Sequence, residues 1–189
     1  MATSDRRESD GSSDAAGPIL YPLATVLLIL SLLFGFAFLP KLFSDRTAIA
    51  GKPAGDFEVD VVANSPDKPT LALRDLRGKV VVLDFWATWC GPCQAQSPVL
   101  DGLATRFRDR GLVVVGMNTN DEEGNAKRWA ASHGVVYPIV YDDGNKVAHE
   151  YNVESFPTLV IIDREGKIVA RRIGITSANE LEGLVKKIL

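Results

Sequence analysis

The chain has 189 residues, 46% of them hydrophobic, with a formal net charge of -3. The length suits one globular domain plus an appendage, and an acidic balance without a clustered basic surface argues against a nucleic-acid partner. Only two cysteines are present, too few for a disulfide scaffold that staples distant segments.

Residues 1–18 are rich in Ser, Asp, Gly, Ala and Arg and lack apolar periodicity. Such a segment buries too little surface to offset its ordering entropy, so a disordered tail is expected. Residues 19–39 then run ILYPLATVLLILSLLFGFAFL without a charge, which meets the roughly 20 residues a helix needs to cross a bilayer. Pro22 falls in its first turn and Pro40 marks its exit, so a transmembrane anchor is expected over 19–40. A cleaved signal peptide would carry a shorter apolar region, with a small-x-small site close behind; here Ala48-Ile49-Ala50 lies well beyond the run. Arg6 and Arg7 on one side roughly balance Lys41, Arg46 and Lys52 on the other, so flanking charge gives no orientation.

A linker over 41–55 leads into a domain expected over 56–189. A first strand is expected at Phe57–Val61, then a turn at Pro66-Asp67-Lys68-Pro69 and an extended stretch at Thr70–Leu73. The run Lys79–Trp86 is apolar and largely β-branched after Lys79 but for Asp84, as in a strand buried on both faces. A helix follows from Pro92 to about Arg110, then a second buried strand at Leu112–Met117. Next come a helix at Glu122–His133, a strand at Tyr137–Tyr141 and a short helix at Lys146–Tyr151. Thr158–Asp163 and Lys167–Ile173 alternate around Arg164-Glu165-Gly166, the pattern of a β-hairpin. Ser177 or Asn179 caps a last helix that keeps Leu181, Leu184, Val185 and Ile188 on one face. Strands alternating with helices and closing on a hairpin predict an α/β fold with a mixed central sheet.

Cys90 and Cys93 are the chemical centre of this pattern. Cys90 falls where a buried strand ends and a helix begins, beside unpaired N–H groups and the positive end of the helix dipole. Both favour a thiolate, while Pro92 suits the first helical turn. The outer thiolate attacks a disulfide, and the inner thiol resolves the mixed disulfide that forms. A zinc site would need about four ligands. The only histidines, His133 and His149, lie far apart on separate elements, so no metal and no cofactor are expected.

The run Val82-Leu83-Asp84-Phe85-Trp86-Ala87-Thr88-Trp89-Cys90-Gly91-Pro92-Cys93 resembles the active-site segment of thioredoxins. The likeness continues at Pro98, at Phe156-Pro157-Thr158 and through Asp163-Arg164-Glu165-Gly166-Lys167 to Gly174. Leu76-Arg77-Gly78-Lys79 and the extra segment from Asp121 to Tyr141 are more similar to the membrane-tethered TlpA- and ResA-like branch. The resemblance implies a thioredoxin fold in which Cys90 is the nucleophile and Cys93 the resolving thiol. It makes Asp84 the buried acid that moves the proton of the inner cysteine, with a pKa raised by desolvation. The plainer role for Asp84 is an end-of-strand aspartate hydrogen-bonded to backbone.

The resemblance also implies a cis bond before Pro157 and substrate contact from Trp89, Gly91, Pro92, Phe156 and Pro157. Trp86 is expected in the core, and Trp129 against the inserted helix. Two positions depart from the relatives: Gln96 stands where the tethered branch carries glutamate, and Gly116 where thioredoxins carry a lysine.

The expected activity is disulfide reduction in extracytoplasmic proteins by a tethered dithiol, fed by a transmembrane electron donor. The alternatives are a tethered dithiol oxidase, a non-enzymatic binding module of the same fold, and a thiol peroxidase. The peroxidase fits poorly, because Thr88 is only two residues before Cys90 and no resolving cysteine lies elsewhere.

Overall fold

The computed structural model describes residues 24–34, 50–65 and 69–189. The tail expected at 1–18, the remainder of the 19–40 anchor, most of the linker and Pro66 to Lys68 of the expected turn lie outside the described residues. Two compact units divide the chain at Ser44 and Asp45. In the first, residues 24–34 form a helix, α1, with every residue exposed. Among the described residues no helix is long and apolar enough to cross a membrane.

The second unit is built on a seven-stranded sheet in the order β2-β1-β5-β4-β3-β6-β7. Its strands are β1 (Glu58–Ala63), β2 (Thr70–Ala72), β3 (Val80–Trp86), β4 (Leu112–Asn118), β5 (Ile139–Tyr141), β6 (Thr158–Ile162) and β7 (Ile168–Ile173). β4 runs parallel to both β3 and β5, and every other pairing is antiparallel. The helices are α2 (Gly91–Phe107), α3 (Glu123–His133), α4 (Lys146–Glu150) and α5 (Ala178–Val185). The expected strands and α-helices of this unit are found in order and type, while 3-10 helices at Leu73–Leu76, where the extended stretch was expected to reach Leu73, and at Asp143–Asn145 were not expected. The first strand begins and ends later than expected, and α2 stops at Phe107 because the chain tightens into a 3-10 turn at Arg108–Arg110. That turn ends at Gly111, whose φ of +90° suits a residue without a Cβ.

β3 is buried at all seven positions, and its period of two sorts it between two cores. Val81, Leu83 and Phe85 join Phe57, Met117 and Tyr151 on one face of the sheet. Val80, Val82 and Trp86 join Leu100, Phe107 and Leu181 on the other. Asp84 keeps the even register, so the backbone itself delivers it to the face that also holds Cys90 and Cys93. α2 covers that face with Cys93, Gln96, Ser97, Leu100, Leu103, Ala104 and Phe107, the i, i+3, i+4, i+7 spacing of an amphipathic helix. Full burial of a side chain such as Leu100 contributes about 1.5–3 kcal/mol. Trp129 packs its ring 4.5 Å from that of Trp86 and 4.3 Å from the imidazole of His133, which fastens α3 to the end of β3.

The last residues before β1 belong to the folded unit. Gly51 N–H donates to Ile168 C=O at 2.7 Å, Ile168 N–H to Lys52 C=O at 2.9 Å, and Ala54 N–H to Gly166 C=O at 2.9 Å. Their small side chains carry no strand pattern, so the sequence reads as a linker where the backbone pairs.

Candidate active site

β3 ends at Trp86, and four residues later α2 begins with Cys90 as its N-cap. Cys90 and Cys93 are joined in a disulfide. Cys90 Sγ accepts the Cys93 N–H at 3.2 Å, and Pro92, in the first turn, removes a donor that would otherwise lack a partner. Cys90 is 6% exposed and Cys93 2%, while Trp89, Gly91 and Pro92 around them face solvent. A reacting sulfur from outside therefore reaches Cys90 first, and Cys93 stays on the core side.

Asp84 lies beneath this helix, 2% exposed. Its Oδ1 has no hydrogen-bond partner, which disagrees with an aspartate serving to cap backbone groups. Desolvation pushes its carboxyl up to about 8, because burial in an apolar sheet face penalises the charged form. An acid titrating there both gives and takes a proton near neutral pH, the requirement for a group that shuttles the Cys93 proton. Beside it, Tyr137 donates its hydroxyl proton to Ser97 Oγ at 3.2 Å. Burial, then the nearby Asp84 charge, raises the Tyr137 pKa, so this hydroxyl stays protonated.

Gly116 pairs with Asp84 in the parallel β3–β4 register. A Cβ on it would lie 2.6 Å from Ile139 Cδ1 and 3.1 Å from both Trp86 Nε1 and Tyr137 Cε2. The space a lysine would need next to the acid is filled by Tyr137 and Ile139.

Phe156 and Pro157 form the wall opposite Trp89. The Phe156–Pro157 peptide is cis, and the rings of Trp89 and Phe156 meet edge-on with centroids 5.9 Å apart. On the other side of Trp89 a cleft of about 440 Å³ is lined by Asn120, Asp121, Glu122, Asn125, Tyr141 and Asn145. Trp89 to Cys93 thus lie together at the start of α2, with Phe156 of the cis-proline loop packed against Trp89 and against the core that holds both cysteines, and with Asp84 on the sheet face below.

Two contributions were not predicted from the sequence, that of Asp121 and that of Gln96, which was singled out there only as a departure from the relatives. Asp121 Oδ2 accepts the Thr88 N–H at 2.6 Å and the Asn118 side-chain amide at 3.2 Å, while Oδ1 accepts from Glu122 N–H at 2.8 Å and Asn125 at 3.1 Å. Partial burial alone would raise this carboxyl, but these donors outweigh it and hold it at about 2. Gln96, fully buried, closes a two-bond clamp on Thr176, with Oε1 accepting Thr176 N–H at 2.7 Å and Nε2 donating to Thr176 C=O at 3.2 Å. The run Asn118-Thr119-Asn120-Asp121 directly after an apolar strand was the one available signal for the first. Among the described residues no group of three or more His, Cys, Asp or Glu side chains could hold a metal ion.

A buried acid under a helix-capping dithiol, on a mixed sheet with the cis-proline loop alongside, defines a thioredoxin-fold thiol–disulfide oxidoreductase. The sequence matches the AhpC/TSA family over residues 50–171. It is 33% identical over 164 residues to the thiol-disulfide oxidoreductases ResA of Bacillus thuringiensis (strain Al Hakam) and Bacillus anthracis, covering 86% of this chain and 92% of each of those. A crystal structure of a thiol:disulfide interchange protein DsbE from Chlorobium tepidum superposes with a TM-score of 0.68 at 29% identity, covering 74% of this chain and 96% of that one. A thiol-disulfide oxidoreductase from Bacteroides vulgatus gives 0.66 at 26% identity, covering 76% and 99%. The chain belongs to the AhpC/TSA family of thioredoxin-fold proteins, and its curated relatives are ResA thiol-disulfide oxidoreductases.

Proposed function

We propose that this oxidoreductase works as a reductant, tethered by the apolar segment at 19–40 with its catalytic domain on the extracytoplasmic (periplasmic) side. The observation that carries the direction is the Gly91-Pro92 pair between the cysteines, at the start of α2. Thioredoxin holds the same pair and sits at about −270 mV, against about −120 mV for the oxidant DsbA. The tether is supported by the uncharged run at 19–39, which matches the length of a membrane-crossing helix.

In the cycle, the Cys90 thiolate attacks one sulfur of a substrate disulfide and forms a mixed disulfide, releasing the other substrate sulfur as a thiolate. Cys93, its proton taken by Asp84, then attacks Cys90 Sγ. The second substrate thiolate leaves, the Cys90–Cys93 bond closes, and two electrons have passed to the substrate. Trp89, Gly91, Pro92, Phe156 and Pro157 supply the surface against which the substrate segment lies. Because the protein leaves each cycle oxidised, and reducing power outside a cytoplasm must be imported, a transmembrane electron donor is required.

The deciding measurement is the reduction potential of the Cys90–Cys93 pair in the full chain in detergent micelles, equilibrated against glutathione and dithiothreitol buffers. A value near or below that of thioredoxin supports the reductant, and a value near that of DsbA overturns it in favour of an oxidase. In cells, a membrane-impermeant maleimide should label Cys90 from outside. Cysteines that remain fully reduced after loss of every transmembrane thiol donor would remove the donor from the scheme.

A further inference from the structure

Gln96 sits one turn beyond Cys93 on α2 and is fully buried. Its side-chain amide pairs with both backbone groups of one residue, accepting from Thr176 N–H at 2.7 Å and donating to Thr176 C=O at 3.2 Å. It does for Thr176 what a neighbouring strand would do. Thr176 lies in the connection between β7 and α5, and its hydroxyl donates to Gly174 C=O at 3.3 Å. Gly174 N–H in turn donates to Pro157 C=O at 2.8 Å. A continuous set of hydrogen bonds therefore runs from the helix that carries both cysteines, through Gln96, Thr176 and Gly174, to the loop facing Cys90. On the outer side the same loop is met by Trp89 through Phe156.

We infer that Gln96 is a positioning residue for substrate docking, fixing the Phe156–Pro157 wall relative to Cys90 through Thr176 and Gly174. The inference rests on the reading of that wall as the surface that receives the substrate. The amide is suited to the task because it is donor and acceptor at once and does not titrate. A carboxylate at the same atoms accepts from Thr176 N–H but sets a second acceptor against Thr176 C=O, and regains both bonds only when protonated. An apolar side chain of the same length leaves both Thr176 groups buried without partners, which is unfavourable for each of them.

The test uses the full chain in detergent, insulin as the disulfide substrate and dithiothreitol as the electron source. Gln96→Met should raise KM for insulin about five- to tenfold, the size of one net hydrogen bond. The kcat should stay within about twofold and the reduction potential should not move, a split that marks lost ground-state binding. Gln96→Glu should match the wild type in KM at pH 5 and exceed it progressively toward pH 8. The titratable groups on the surrounding elements are Cys93 on α2, Asp84 on β3, Tyr137 against Ser97, and the Glu180–Arg172 and Glu182–Arg106 pairs on the α5 side. Expressing each variant as a ratio to the wild type at the same pH removes their own titrations.

Phe156→Ala is run beside them to test the wall itself. A raised KM in Phe156→Ala with an unchanged KM in Gln96→Met overturns the role of Gln96 and leaves the wall intact. Unchanged KM in both overturns the wall, and the inference with it. A shift in potential at constant KM means that Gln96 acts on the dithiol, which also overturns it. Should Gln96→Met not fold, the pH ratio of Gln96→Glu decides alone, and a flat ratio sinks the proposal.

Discussion

Asp121 Oδ2 takes the backbone N–H of Thr88 at 2.6 Å, so one carboxylate of the inserted segment holds the loop that presents Cys90. The neighbouring Asn120 C=O accepts the indole N–H of Trp89 at 3.0 Å, and the Asn120 N–H is bound by Asn145 Oδ1 at 2.6 Å. The approach to the dithiol is shaped from outside the Trp89–Cys93 run as much as from within it.

Replacing Asp121 with alanine should therefore loosen this loop, at a cost of about 1–3 kcal/mol for hydrogen bonds to a charged acceptor. Because the carboxyl is only partly buried, the lower end of that range applies. Its folded pKa, about 2, lies below the ordinary value of 3.8, so the contribution is full above pH 4 and fades as pH falls through 2. Urea unfolding of wild type and Asp121→Ala should differ at pH 6 and converge at pH 2. A constant difference across that interval refutes the electrostatic role.

Asp84 behaves in the opposite sense. The folded carboxyl keeps its proton up to about pH 8, whereas the unfolded one loses it near 3.8. Folding thus takes up a proton between those values, and stability falls as pH rises from 4 to 8. Asp84→Asn should abolish that slope and stabilise the protein at pH 8 by several kcal/mol. The same change should slow resolution of the mixed disulfide by about 10²-fold, and chemical denaturation beside single-turnover kinetics reads both effects. A stable Asp84→Asn protein with unchanged turnover would leave the acid without a catalytic role.

The division of labour between the cysteines predicts different products from similar substitutions. Cys93→Ser should accumulate a covalent adduct with a disulfide-containing protein, because attack by Cys90 proceeds and resolution fails. Cys90→Ser should give neither adduct nor turnover. Non-reducing electrophoresis of both variants after exposure to oxidised substrate separates them, and adducts on Cys93 in the Cys90→Ser protein would reverse the assignment.

What the sequence discloses here is periodicity. The alternation of Val80 to Trp86 places Asp84 on the face of α2 without any structural information, and Cys90 at a strand-to-helix junction follows from the apolar run before it and Pro92 after it. The contacts it conceals are polar ones between distant positions. Thr88 meets Asp121 33 positions away in sequence, and Gln96 meets Thr176 80 positions away, and no apolar pattern encodes which backbone group a buried amide will bind. Gly51 to Ala54 were similarly opaque, since their pairing with the start of β7 uses backbone alone. Gly116 was legible only as a missing lysine; the structure supplies the reason for it.

That reason makes the last prediction. The Cβ direction of Gly116 is closed chiefly by a single atom, Ile139 Cδ1 at 2.6 Å, with Trp86 Nε1 and Tyr137 Cε2 at 3.1 Å. Gly116→Ala should destabilise by about 1–3 kcal/mol through overpacking, and Ile139→Val, which deletes the obstructing methyl, should cost about 0.5–1.5 kcal/mol alone. Combined, the two changes should cost less than their sum by at least about 0.5 kcal/mol, because the methyl removed by one is the obstacle met by the other. Thermal or urea unfolding of the four proteins in this cycle measures the coupling. Strict additivity would mean that the strain is taken up by Trp86 and Tyr137, and that the space beside Asp84 is guarded by the aromatic rings instead of by Ile139.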